Sequence, residues 1–247
     1  MLLSPAGVFN VDRKAGLVQV TDFPERLDRI ALYLDTVQRR VHRQVQIDLR
    51  IVEVELNDAD AEMLDWAAVA TGAGAEGVAP ARGNGVGLRV TDANQLLARL
   101  AAQGRVSTLA APRIVALNNE PALVRAAAEA PAMRPGQRPA VGAVTMEVTP
   151  QIAANNVITL SLSPIVTLQE ADSGSGEAAL TTIRKTDTLA RVADGETLVL
   201  GGFTRQREFR QRQNRGGWFG RSTVVTRKRV ELVIMLTPRI LRPVEAP

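Results

Sequence analysis

Two carboxylates, Glu53 and Glu55, stand two residues apart in an alternating segment. On a strand that spacing puts both on one face, about 7 Å apart. Paired acids at such distances can do acid/base work. No base accompanies them, so the expectation is a solvated strand face or a partner for Arg across a subunit boundary. The single histidine, His42, falls at the C-terminal end of a helical stripe, where a cation is favourable. It reads as a cap and not as a metal ligand. Gly72-Ala-Gly-Ala-Glu-Gly77 spells G-x-G-x-x-G, but a dinucleotide fingerprint follows a strand and opens a helix. Here a helix is expected before it and more Gly and Pro follow, so it reads as a linker. The run Arg205, Arg207, Arg210, Arg212, Arg215, Arg221, Arg227, Lys228 and Arg229 could hold phosphates. Phe209, Trp218 and Phe219 are its only aromatics, and no nucleic-acid motif accompanies it. Arg flanking Trp218-Phe219 reads equally well as an interfacial membrane anchor.

The residue inventory narrows the chemistry further. The chain has 247 residues, no Cys, one His and 3% aromatics. That excludes a disulfide framework, Cys-ligated metal, a thiol nucleophile and a His-rich metal site. No catalytic, cofactor-binding or metal-binding set is expected. The net charge of +4 hides a split: residues 1–200 carry 19 Lys+Arg and 23 Asp+Glu, and residues 201–247 carry 11 and 3. The second segment alone is therefore at +8. No window approaches the ~20 apolar residues of a spanning helix, and the N-terminus lacks the regions of a signal peptide.

The elements that would position these residues are mainly strands. Val8–Val11 and Leu17–Val20 read as strands around the turn Arg13–Gly16. Pro24 opens a helix with Leu27, Ile30, Leu34, Val37 and Val41 on one stripe. In Arg43–Leu56, Val45, Ile47, Leu49 and Ile51 alternate with polar residues. The apolar phase then slips to Val52, Val54 and Leu56, which predicts a bulge or a change of packing environment. Asn57–Trp66 is expected as a short helix capped by Asn57 or Asp58, and Ala70–Gly87 as a mobile loop. Asp92–Gln103 is a helix ended by Gly104. Strands follow at Arg105–Leu109, Arg113–Leu117, Val144–Val148, Val157–Val166, Thr181–Val192 and Thr197–Leu200. Asp194-Gly195 signals a hairpin between the last two. Val230–Leu236 closes the series at Pro238. Short neighbouring strands imply a mainly antiparallel sheet after a small α+β piece.

Four ordered segments resemble the C-terminal part of secretins, the ring-forming outer-membrane channels of type IV pilus, type II and type III secretion and phage export systems. The first is Gly16-Leu-Val-Gln-Val-Thr-Asp22 with Leu27–Leu34 and Arg43–Leu56. The second is Leu96–Gly104 followed by Arg105–Pro121. The third is Val144–Ile152 with Ile158–Leu162. The fourth is Arg184–Thr188 through Asp194-Gly-Glu-Thr-Leu-Val-Leu-Gly-Gly-Phe203, closing with Glu231-Leu-Val-Ile-Met-Leu-Thr-Pro-Arg-Ile240. The likeness covers about residues 8–242, and the wording around Arg43–Leu56 and Pro112–Pro121 is similar to the MSHA-type pilus secretins.

The resemblance implies a fold and sites. Residues 1–44 correspond to part of a periplasmic ring domain whose first half the sequence does not contain, so the chain is expected to be a piece of a longer one. Residues 45–247 correspond to a secretin domain, giving antiparallel strands to a multi-subunit, double-walled β-barrel. The segment 125–142 matches the channel gate, with Arg125, Met133, Arg134, Pro135, Gly136 and Arg138. Its Pro131, Pro135 and Pro139 argue against a ladder strand there. Gly195, Gly201 and Gly202 are strand and turn glycines of the barrel. The membrane lip maps to 204–222, reduced to Asn214–Gly220 with Trp218 and Phe219. Implied partners are further copies in a ring, a pilus fibre or folded secreted protein, outer-membrane lipid, inner-membrane assembly components and a pilotin. No nucleic acid is expected. The implied location is the cell outer membrane, with the N-terminal part in the periplasm. On the residues alone, a monomeric β-rich interaction domain and a nucleic-acid-binding protein using Arg205–Arg229 stay open as alternatives.

Overall fold

The computed structural model describes residues 2–57, 63–72, 76–80, 86–130, 140–169, 181–214 and 221–242. The chain divides into two units, residues 1–43 with 242–247, and residues 44–241.

In the first unit β1 (Val8–Asp12) and β2 (Leu17–Thr21) form an antiparallel hairpin. Gly16 supplies the positive φ, 68°, that its turn requires. Helix α1 (Pro24–Val41) begins with a proline, whose missing N–H costs nothing in a first turn. His42 is its C-cap, after Arg39 and Arg40 in the last turn, as the spacing predicts. The Asp22 carboxylate accepts from the Ser4 hydroxyl at 2.6 Å and the Ser4 N–H at 2.8 Å. These bonds, with the Phe23 N–H and the Arg26 charge, hold its carboxyl below the usual carboxylate range.

The second unit is layered. One sheet runs in the order β4 (Glu76–Pro80), β5 (Val86–Val90), β13 (Thr197–Asn214), β14 (Arg221–Leu241), β3 (Gln44–Leu56) and β6 (Gly104–Ala110). Strand β7 (Arg113–Leu117) continues the line of β6, so the two lie end to end along β3. The other sheet runs β11 (Thr181–Lys185), β10 (Ile158–Gln169), β9 (Ala140–Ile152), β8 (Ala122–Ala130). There β12 (Thr188–Val192) shares the side of β10 with β11. All these ladders are antiparallel.

Two cores hold the layers. Between the sheets pack Val45, Ile47, Leu49 and Ile51 of β3, Met146 and Val148 of β9, Leu160 and Leu162 of β10, and Leu232, Ile234 and Leu236 of β14. On the other face of the seven-stranded sheet, Val52, Val54, Leu56, Val233 and Met235 meet α2 (Trp66–Gly72) and α3 (Ala93–Gln103) through Trp66, Val69, Leu96 and Leu100. This arrangement explains the phase slip. β3 keeps one uninterrupted register against β14 from Gln44↔Leu241 to Glu55↔Val230. Its odd residues face the sheet–sheet side throughout. Its even residues are polar where no helix covers them and apolar where helices do. The extra residue of the bulge, Leu109, sits in β6, between Ala110 opposite Ile51 and Thr108 opposite Val52.

Five expectations need correction. The helix after β3 starts at Trp66 and not at Asn57. Asp65 caps it, accepting from the Ala67 and Ala68 N–H groups at 3.1 and 3.0 Å; residues 58–62 lie outside the described residues. The Gly/Ala-rich stretch expected as a mobile loop contains β4 and the first two residues of β5, because β5 finds a partner in β13 and β4 in β5. The Asp194-Gly195 turn is no hairpin: β12 pairs with β10 and β13 with β14, so Ala193–Glu196 crosses from one sheet to the other. Gly195 takes φ 84° there, its N–H donates to the Pro238 carbonyl at 2.8 Å, and Asp194 accepts from the Ile240 N–H at 2.8 Å. Pro238 does not end β14. N–H and C=O of one strand residue point to one side, and the Pro238 carbonyl faces the crossover turn. Its missing N–H therefore costs β3 no ladder bond. Pro150 and Pro164 follow the same rule, their carbonyls accepting from Asn119 and Thr186 in links. Finally, the ladder enters segment 125–142: β8 and β9 pair from Ala122↔Val148 to Ala130↔Ala140. The proline-bearing stretch is 131–139, and the flanking alanines keep their N–H groups for pairing.

Gly104 ends α3 for a reason other than a left-handed cap. Its φ is −170°, extended, and a Cβ on it would lie 2.4 Å from the Glu55 carbonyl oxygen. We expect Gly104→Ala to cost about 1–3 kcal/mol of unfolding free energy, measured by urea titration; a cost under about 0.5 kcal/mol would contradict this close approach. Because hydrogen bonds depress the Asp22 pKa, its contribution to folding is present above the ordinary carboxylate pKa. It is lost as pH falls through the lowered value. Carboxyl chemical shifts should place its midpoint below those of exposed Asp residues, and Ser4→Ala should raise it.

Candidate functional site

The Gly201-Gly202 pair marks a break in the β13–β14 ladder, where the register shifts between Leu200 and Phe203. Gly202 takes φ 89°. A Cβ on Gly201 would lie 2.0 Å from the Trp66 ring. Glycine is therefore needed at both positions, once for conformation and once for the indole. The bulge turns the Gly202 N–H towards Glu231, the next charged residue along β14. The Glu231 carboxylate is completely buried. Its Oε1 accepts from Gly202 N–H at 2.7 Å and Trp66 Nε1 at 2.9 Å, and its Oε2 from Leu64 N–H at 2.8 Å. Three donors satisfy a buried charge that would otherwise be costly. One side chain thus fixes the bulge, the entry to α2 and the indole. Sequence reasoning missed it. The available signal was an acid at the head of the apolar run Leu232–Leu236.

Glu53 and Glu55 do not form an acid/base pair. Glu53 is paired with Arg205 of β13 and Glu55 with Lys228 of β14. The Glu53–Arg205 pair is largely buried, with side-chain exposures of 9% and 17%. It lines a small cavity between the sheets, with Ala126, Ala127 and Ala143 of the β8–β9 hairpin opposite. The acids expected to meet Arg across subunits meet cations within their own chain. Among the described residues no cluster of three acidic or His side chains could hold a metal.

Of the residues assigned to the gate position, Arg125 is exposed on β8, opposite Thr145 of β9. Met133, Arg134, Pro135, Gly136 and Arg138 lie outside the described residues, as do Trp218 and Phe219. Strand β8 lies at one boundary of the five-stranded sheet, where it has β9 as its one ladder partner among the described residues. Strand β4 and the composite β6–β7 bound the seven-stranded sheet. Both sheets are therefore open in the single chain. No helix among the described residues is long and apolar enough to cross a membrane, which says nothing of a β-barrel.

Comparison with known proteins follows this geometry. Residues 99–242 match the family described as Secretin, bacterial type II and III secretion system protein. Competence protein E of Haemophilus influenzae is 26% identical over 291 aligned positions, 98% of this chain and 64% of its own length. The DNA utilization protein HofQ of Escherichia coli is 30% identical over 59% of this chain and 39% of its own length. The chain thus spans about two-fifths to under two-thirds of the curated relatives it matches. The structure of the Salmonella type III secretion injectisome secretin InvG, in the open gate state, superposes with a TM-score of 0.51 at 15% identity, covering 98% of this chain and 72% of that one. That likeness is one of fold.

Removing the buried acceptor should be expensive. Each orphaned N–H costs roughly 1–3 kcal/mol, so Glu231→Ala is expected to lose at least about 3 kcal/mol in urea unfolding. Glu55→Gln, whose partner Lys228 is exposed, should lose less than about 1 kcal/mol. Equal costs for the two variants would refute the hub role of Glu231.

Proposed function

This chain belongs to the secretin family, and we propose that it is one subunit of a homo-oligomeric, gated channel of the outer membrane. Each subunit supplies one segment of a double wall, and the work of transport comes from the assembling machinery. No bond chemistry is assigned to the chain. The observation that carries this reading is the pair of open sheets. β8 at one boundary and the β6–β7 line at another have no ladder on their outer sides among the described residues, and such edges are sites of aggregation in a monomer in water. Closure of each sheet on neighbouring copies removes them.

The stretch 131–139, which joins β8 to β9 in sequence, is the gate on this reading, and a passing fibre displaces it. The relatives named for competence and DNA utilization favour a channel serving DNA uptake, with a pilus fibre in the lumen, over one exporting folded protein. Trp218 and Phe219 supply the interfacial anchor at the outer membrane. A pilotin and inner-membrane assembly components are further partners on this reading. The matched ion pairs of Arg205 and Lys228 argue against a nucleic-acid surface running the whole length of the basic segment.

End-on electron-microscope images of the protein in detergent should show closed rings; a chain that stays monomeric at every concentration would overturn the reading. The gate has its own test. Replacing 131–139 by Asn-Gly should close the β8–β9 arms in a short turn without breaking their ladder. Rings of that variant are expected to raise antibiotic leakage, and rings as tight as wild type would remove the gate assignment.

A further inference from the structure

The face of the seven-stranded sheet that carries α2 and α3 is covered by them over only part of its length. Where the helices stop, it holds a cavity of about 580 Å³. Asp48 and Arg50 of β3, Thr197 of β13, and Thr237 and Arg239 of β14 form its floor. Three links wall it: the entry to α3 at Thr91–Asn94, Ala111-Pro112 between β6 and β7, and Gly195 of the crossover turn. Cavities of this size hold ligands.

The charges around this cavity do not cancel. Arg50, Arg113 and Arg239 line it with Asp48 and Asp92. Asp48 accepts from Arg113 Nε, and from Gln46 Nε2 at 3.2 Å. Asp92 is the N-cap of α3, accepting from the Asn94 and Gln95 N–H groups at 2.8 and 3.1 Å. Both acids are therefore engaged by groups of their own, and the end of α3 is already satisfied. The side chains of Arg50 and Arg239 have no hydrogen-bond or ion-pair partner among the described residues. Arg50 is half-buried, and a cation so placed is costly until an anion joins it. Arg50 lies opposite Met235 and Arg239 opposite Gln46. Four strand positions thus separate the two arginines, about 13 Å along the floor.

We propose that this cavity binds an acidic peptide segment of a partner protein, laid along the sheet floor with one carboxylate on Arg50 and another on Arg239. Arg suits carboxylates through bidentate, permanently charged forks. The spacing of the two arginines asks for two separate anionic groups on an extended chain, which one small anion does not supply. Asp48 and Asp92 stand beside them and repel a densely charged polyphosphate, while single, spaced carboxylates avoid them. The walls admit one extended chain and keep a flat lipid surface or a duplex off the floor. The inference goes beyond the channel reading and does not rest on it, because one subunit carries the whole site.

Fluorescence anisotropy of the full chain tests it, with a labelled eight-residue peptide that carries two glutamates four positions apart. Wild type should bind this peptide, and bind the same peptide with both glutamates replaced by glutamine at least tenfold more weakly. Added salt should weaken the glutamate complex. The variant Arg50→Gln/Arg239→Gln should lose at least tenfold in affinity. Arg99→Gln, on the exposed side of α3 and outside the cavity, should bind as wild type. No binding of the glutamate peptide by wild type, equal binding of the two peptides, or undiminished binding by the double variant would overturn the proposal. So would inorganic phosphate that displaces the peptide at equal concentration, since the site would then be one for phosphate. If the double variant misfolds, Arg239→Gln alone, at an exposed position, still decides: it should weaken the glutamate peptide and leave the glutamine peptide unchanged.

Discussion

The pairing of β3 with β14 is the constraint on which everything else rests. It runs from Gln44↔Leu241 to Glu55↔Val230 without a slip, and it has a buried core on both sides over part of its length. The sheet–sheet core needs the odd residues of β3 and the even residues of β14. The helical layer needs the opposite set, but only at the end of β3 from Val52 to Leu56. A one-residue slip would exchange these sets and place Glu53, Glu55 and Glu231 on the wrong sides of the sheet. The ion pairs to Arg205 and Lys228 and the three bonds of Glu231 all presuppose this one register.

Glu231 shows how the register is converted into local shape. A carboxylate accepting three N–H groups in a dry site can only be accommodated if the backbone brings those groups to it. Gly201 and Gly202 do so by breaking the β13–β14 ladder for one step. The same break makes room for Trp66, and the β13–β14 ladder resumes beyond it at Phe203↔Leu232. The glycine pair thus serves packing, hydrogen bonding and strand direction together.

Much of this was legible in the residues. The stripe Leu27–Val41 gave α1 with its His42 cap, and alternation gave β3, β9 and β10. The four ordered segments gave the family. What escaped the reading depended on long-range partners. Asp194-Gly195 has the local chemistry of a hairpin, yet whether it joins neighbours or crosses between sheets depends on where β12 and β13 find their ladders. Pro238 looks like a stop because the side of the strand that needs an N–H is invisible in sequence. Glu53 and Glu55 read as a solvated strand face or as partners for Arg across a subunit boundary, and they stand paired with Arg205 and Lys228 of the same chain. Glu231 was passed over because an acid in an apolar strand is meaningful only once its donors, which lie far away in sequence, are known.

The central pair also sets the order of events when the chain is made. Glu55 and Lys228, neighbours in space, are 173 residues apart in sequence. The seven-stranded sheet therefore has no middle until its last strand exists. Closing so long a loop adds little to the equilibrium cost, but non-local pairing of this kind slows folding. During that interval β3 is a long strand paired on one side with β6 and β7 and bare on the side that β14 will cover. A newly made chain thus carries a built-in delay before its central sheet can close, and in that interval the bare side of β3 must be kept from pairing with the wrong neighbour.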